Sequence, residues 1–170
     1  MDPAVYQWVA IVLCVGQSAI FSGLNLALFG VSRLELEIEV GQGNKKAERI
    51  LALRKDSNFL LTTILWGNVA TNVLLALVID SAMTGLAGFL FSTVVITVCG
   101  EIMPQAFFSR FAMQMGSLLS PLLRAYQFLL FPVAKPTAWV LDLMLGEEGI
   151  QYFQEVHLRD LIKRHMQAEE

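Results

Sequence analysis

Ser22, Asn25, Asn68, Asn72, Gly100 and Glu101 are polar or backbone-exposing positions set inside otherwise apolar runs, in a chain of 170 residues with only 16% charged residues. Glu101 is the residue among them that ionises. A carboxylate in a low-dielectric setting costs several kcal/mol unless it is neutralised or paired. The three long apolar runs contain no Lys, Arg or His, so its partner must be a proton or a bound cation. Asn and Ser side chains supply neutral oxygens, and glycines let backbone approach closely. Pro104 lacks an amide hydrogen and so frees the carbonyl four residues back, at Gly100. An oxygen-only set with one carboxylate favours hard ions such as Mg²⁺, Ca²⁺ or Na⁺ over zinc or copper.

The spacing strengthens this reading. Counted at 1.5 Å per residue from the nearest flanking charge, Asn25 lies about 12 Å inside, Glu101 about 14 Å, Ser22 about 16 Å and Asn68 about 18 Å. These depths describe one layer near the centre of a bilayer. Ser22 and Asn25 share a helix face at i and i+3, as do Asn68 and Asn72 at i and i+4. Other readings remain open: polar residues in spanning helices also serve as packing and hydrogen-bonding glue, the reading preferred for Thr62, Thr63, Thr71, Thr93 and Thr97, and Glu101 could be a protonated structural carboxyl or a proton relay.

The elements that must hold these residues follow from composition. Residues are 55% hydrophobic and the mean hydropathy is +0.58, which describes a membrane protein. Charge-free windows run from Pro3 to Ser32, Ser57 to Ile79 and Ser81 to Gly100, each reaching the roughly 20 residues that cross a hydrocarbon core. The expected fold is an all-α membrane protein with three transmembrane helices, at about 4–31, 58–79 and 82–109, with a tight hairpin around Asp80. The first window lacks a basic leader and is too long for a signal peptide. Residues 33 to 56 carry Arg33, Lys45, Lys46, Arg49, Arg54 and Lys55, whereas Met1–Pro3 and the Asp80 hairpin carry no Lys or Arg. The positive-inside rule therefore places the N-terminus outside and the C-terminus in the cytoplasm.

Between the first two spans, Leu34, Leu36, Ile38 and Val40 alternate with Glu, a strand period in residues that favour helix; helix is preferred. Gly41 and Gly43 break it, Asn44 caps a second helix and Ser57 caps the second span. Pro121, Pro132 and Pro136 interrupt residues 112–145, which read as a kinked interfacial helix, a broken fourth span being the rival. From 146 to 170 an acidic, soluble amphipathic helix is expected.

Other chemistries are poorly supplied. Cys14 and Cys99 lie apart in apolar runs, and His157 and His165 sit in the polar tail, so neither a disulfide framework nor a zinc site is expected. Twelve basic against fifteen acidic residues give no nucleic-acid footprint. Hydrolysis would need a base or second carboxylate near the first, so an enzyme is not expected.

The stretches FSGLNLALF (21–29), LLTTILWGNVATN (60–72), GEIMPQAFFSR (100–110) and FPVAKPTAWVLDLMLGEE (131–148) together resemble the transmembrane domain of the CorC and cyclin M (CNNM) proteins. The resemblance implies Na⁺-coupled Mg²⁺ efflux by a homodimer of three-helix domains embedded in membrane lipid, with a juxtamembrane helical belt. It implies a dehydrated Mg²⁺ among Ser22, Asn25, Asn68, Gly100 and Glu101, with Asn72 a weaker ligand. It further implies a nucleotide-binding CBS module after the acidic segment, within which this chain ends. A Mg²⁺-sensing module that moves nothing itself is the alternative.

Overall fold

The computed structural model describes residues 3–145; the acidic segment expected from 146 onward, with both histidines, lies outside the described residues. Those residues form helix α1 (Pro3–Gly30), α2 (Arg33–Gly41), α3 (Lys45–Leu53), α4 (Ser57–Ala82), α5 (Gly85–Val94), α6 (Met103–Arg110), α7 (Ala112–Leu118), α8 (Ser120–Leu129) and α9 (Phe131–Leu145). A short 3₁₀ turn at Arg54–Asp56 leads into α4, and a π-helical segment at Val95–Ile102 joins α5 to α6. Three helical stretches are long and apolar enough to cross a membrane: Val5–Gly30, Lys45–Ala82 and Gly85–Arg110.

Local chemistry sets the boundaries. Ser32 caps α2 by accepting the Glu35 amide at 3.1 Å, and Asn44 caps α3 by accepting that of Lys46 at 3.0 Å. The alternating segment is thus helical. The cap of α4 is Asp56 and not Ser57: the Asp56 carboxylate accepts the Phe59 amide at 3.0 Å, while the Ser57 hydroxyl turns back to the Arg54 carbonyl at 2.8 Å. A carboxylate there also complements the positive end of the helix dipole. The hairpin between the second and third spans falls at 83–85, later than Asp80, which lies within α4. Gly85 at φ +75° makes the turn, and a Cβ at Gly88 would stand 1.8 Å from the Met83 carbonyl oxygen. The sharp reversal therefore depends on both glycines.

Two apolar clusters hold the rods together. The larger, at the end bearing α2 and α3, joins Phe21, Leu24 and Leu28 of α1 to Leu36, Ile50, Leu60, Ile64, Phe108 and Leu123. The smaller joins Ile11 to Leu75 and Ile79 towards the other end. The polar layer lies between them along both α1 and α4.

The chain after Arg110 forms three helices rather than one kinked helix, Pro121 opening α8 while Pro136 is accommodated inside α9. They lie alongside the spans. Thr62 Oγ1 donates to the Ala134 carbonyl at 3.0 Å, Trp66 Nε1 to Thr137 Oγ1 at 3.1 Å and Asn58 Nδ2 to Asp142 Oδ1 at 2.6 Å, and Lys135 pairs with Asp56. Since α4 begins at Ser57, Trp66 stands about 13 Å along it. The outer face of α9, with Trp139, Leu143 and Met144, is exposed.

Candidate metal centre

Three rods each bring oxygen to one place. From α1 come Ser18 and Ser22, both buried; from α4, Asn68 and Asn72; from the π segment, the Gly100 carbonyl and the Glu101 carboxylate. Ser18 Oγ lies 2.6 Å from Asn72 Oδ1 and 3.4 Å from both Asn68 Oδ1 and the Gly100 carbonyl oxygen. Ser22 Oγ is 3.3 Å from Asn68 Oδ1. Asn72 Nδ2 donates to Glu101 Oε1 at 3.2 Å and stands 3.5 Å from Asn68 Oδ1.

The inventory is rich in lone pairs. One serine hydroxyl has one proton, yet three acceptor oxygens crowd Ser18. Glu101 receives its hydrogen bond from a neutral amide, and the ion pairs among the described residues, Arg33 with Glu37 and Lys135 with Asp56, do not involve it. Surplus oxygens around an uncompensated carboxylate are what a hard cation requires. Among the described residues no group of three or more His, Cys, Asp or Glu could hold a metal; what this layer offers is neutral oxygens and one acid.

Backbone irregularity supplies one of these oxygens. The π segment carries i to i−5 hydrogen bonds, as from the Met103 amide to the Val98 carbonyl, and with no amide hydrogen at Pro104 the Gly100 carbonyl is left to face Ser18. Gly100 leaves room for that hydroxyl: a Cβ there would lie 2.8 Å from Ser18 Oγ and displace it. The same device recurs beside the layer. A Cβ on Gly67 would stand 2.2 Å from the Phe21 ring, and one on Gly23 would stand 2.5 Å from the Phe108 ring. Each notch seats an aromatic ring from another rod, bringing α1 close to α4 and to α6.

Of the six sequence-derived positions, Ser22, Asn68, Asn72, Gly100 and Glu101 meet in this network. Asn25 lies one turn nearer the α2 end of α1, half-buried, and makes no side-chain hydrogen bond among the described residues. Asn72, ranked low from sequence, is the direct partner of Glu101. Ser18 was missed, since its depth of about 22 Å from Arg33 fell outside the counted layer. Its i, i+4 relation to Ser22 was the available signal. The threonines set aside as packing residues return to helix carbonyls: Thr63 to Phe59, Thr71 to Gly67, Thr93 to Phe89.

Three spanning helices, with an oxygen-rich cluster where they meet, define an all-helical integral membrane protein. The family description "Cyclin M transmembrane N-terminal domain" matches residues 9–170, and the chain belongs to that family. It is 35% identical over 95% of its length to Metal transporter cnnm-1 of Caenorhabditis elegans, covering 20% of that protein. It is 33% identical over 91% to the DUF21 domain-containing protein At4g33700 of Arabidopsis thaliana, covering 38%, and 32% identical over 94% to Protein MAM3 of Saccharomyces cerevisiae, covering 23%. The chain thus spans between a fifth and two fifths of these relatives.

Proposed function

We propose that this chain binds Mg²⁺ between its three spanning rods and carries it across the membrane by alternating access, outward, with Na⁺ as the coupling ion. The observation that carries the reading is Glu101: a carboxylate held by Asn72 within a cluster of neutral oxygens, with no Lys, Arg or His in residues 3–32, 57–79 or 81–109. Ser22, Asn68, Gly100 and Glu101 are the proposed ligands, and Ser18 and Asn72 orient them, with Asn25 available one turn along the same α1 stripe. Mg²⁺ demands near-octahedral oxygen geometry at about 2.0 to 2.1 Å and gives up water reluctantly, so a small rigid cage provides selectivity. A cyclin M relative bears the name metal transporter, which supports a carrier over an enzyme.

The apolar clusters support the transport cycle. With Leu24, Leu28, Leu60 and Ile64 on one side and Ile11, Leu75 and Ile79 on the other, apolar packing flanks the half-buried polar layer along the rods, which supports two seals that open alternately. Opening either seal in turn admits or releases the ion. The basic α2–α3 hairpin supports a cytoplasmic position for the larger cluster.

Reconstitution of the purified chain into liposomes tests this. Mg²⁺ flux that depends on an opposing Na⁺ gradient at fixed pH is expected; flux indifferent to Na⁺ removes the coupling, and no flux removes the carrier. A second expectation concerns Gly100→Ala, whose methyl displaces the Ser18 hydroxyl. Apparent Mg²⁺ affinity, read from Mg²⁺-dependent thermal stabilisation, should fall about tenfold, equivalent to about 1.4 kcal/mol, with secondary structure retained by circular dichroism.

A further inference from the structure

Behind the polar layer stands a residue from outside the three spans. Tyr126, on α8, donates its hydroxyl to Gln17 Oε1 at 2.6 Å, and its ring lies 4.7 Å from that of Phe21. The Phe21 ring in turn fills the notch over Gly67. Each residue Tyr126 touches on α1 immediately precedes a serine of the network, Gln17 before Ser18 and Phe21 before Ser22, and Gly67 immediately precedes Asn68. Gln17 and Phe21 form an i, i+4 stripe next to the Ser18 and Ser22 stripe, so whatever holds the first fixes the rotation of the second. Among the described residues the Gln17 side chain has no other polar partner, its Nε2 being buried without one.

We propose that Tyr126 is a positioning residue of the ion centre: through Gln17 and the Phe21–Gly67 stack it sets the rotation of α1, and the seating of α8 thereby tunes affinity and size selection for the divalent ion. This rests on the Mg²⁺ reading above. The tyrosine touches no ligand; it braces α1 on the stripe beside the oxygens that helix presents. The chain that follows Arg110 is in this way tied to the ion layer, and a displacement of α8 is transmitted to Ser18 and Ser22 without altering Glu101.

The test is Mg²⁺-dependent and Ca²⁺-dependent thermal stabilisation of the purified chain in detergent, for the wild type, Tyr126→Phe and Gln17→Leu/Tyr126→Phe. Tyr126→Phe keeps the ring stack but strands the Gln17 amide, so it lowers the ion-free melting temperature; the double variant removes the stranded amide and recovers it. Both variants are expected to shift the Mg²⁺ midpoint upward by about five- to tenfold, the equilibrium weight of one hydrogen bond, and to lower the Mg²⁺ to Ca²⁺ affinity ratio. A double variant with restored melting temperature and a wild-type Mg²⁺ midpoint overturns the positioning role, showing Tyr126 to be structural only. A wild-type chain that responds to neither ion overturns the Mg²⁺ reading and this role with it.

Discussion

Glu101→Gln removes Mg²⁺-dependent stabilisation and Mg²⁺ flux together, with a loss of apparent affinity of about 100-fold or more, equivalent to about 2.7 kcal/mol. The substitution changes charge and little else. Glutamine keeps the shape, and its Oε1 still accepts the Asn72 amide that now reaches Glu101 at 3.2 Å. The ion-free fold should therefore be as stable as the wild type or more so, since a carboxylate within a spanning segment and without a cationic partner is itself a cost. Opposite signs on the two readouts, ion-free melting temperature level or raised and Mg²⁺ response lost, separate a ligand from a packing residue. Thermal melting with and without Mg²⁺ measures both, and an unchanged Mg²⁺ midpoint in the variant excludes Glu101 as the anionic ligand.

Gly67→Ala has the second large effect and acts without touching a ligand. Its methyl would sit 2.2 Å from Phe21 Cζ, far inside contact distance, and the ring cannot yield freely because Tyr126 packs on it at 4.7 Å. The rods must separate. Overpacking of this kind costs about 1 to 3 kcal/mol, and separation of α1 from α4 pulls Ser22 away from Asn68, now 3.3 Å apart. Both stability and ion response are expected to fall. Gly67→Ala/Phe21→Leu removes the clash and should recover most of the melting temperature; recovery that is no better than in Gly67→Ala alone would show that the notch does not set the approach of the two helices.

How much of this was written in the residues differs from place to place. The three spans and the shared depth of Ser22, Asn68, Gly100 and Glu101 follow from window length and rise per residue, since apolar length and helix pitch are local quantities. Pro104 likewise announced a freed carbonyl at Gly100. The π segment was not legible, because an i to i−5 register depends on how the third rod packs and not on its composition. Ser18 was hidden by a linear depth count that ignored the angular stripe it shares with Ser22. The contacts of α8 and α9 were not legible for another reason: the bonds that seat them, from Tyr126 to Gln17 and from Asn58 to Asp142, join residues 109 and 84 positions apart. Asn25, at a suitable depth, lies one turn along α1 from the network and makes no side-chain hydrogen bond among the described residues.

A bound ion is the partner that Glu101 otherwise lacks in the proposed centre, and so the position of the ion is the decisive quantity. Mn²⁺ shares the oxygen preference of Mg²⁺ and gives an anomalous X-ray signal, so crystals of the chain grown with Mn²⁺ locate it directly. The predicted result is one strong peak bonded to Glu101, Asn68 and the Gly100 carbonyl, abolished by excess Mg²⁺. A peak elsewhere in the bundle, or none at this layer while the Glu101 carboxyl keeps Asn72 as its sole partner, would contradict it.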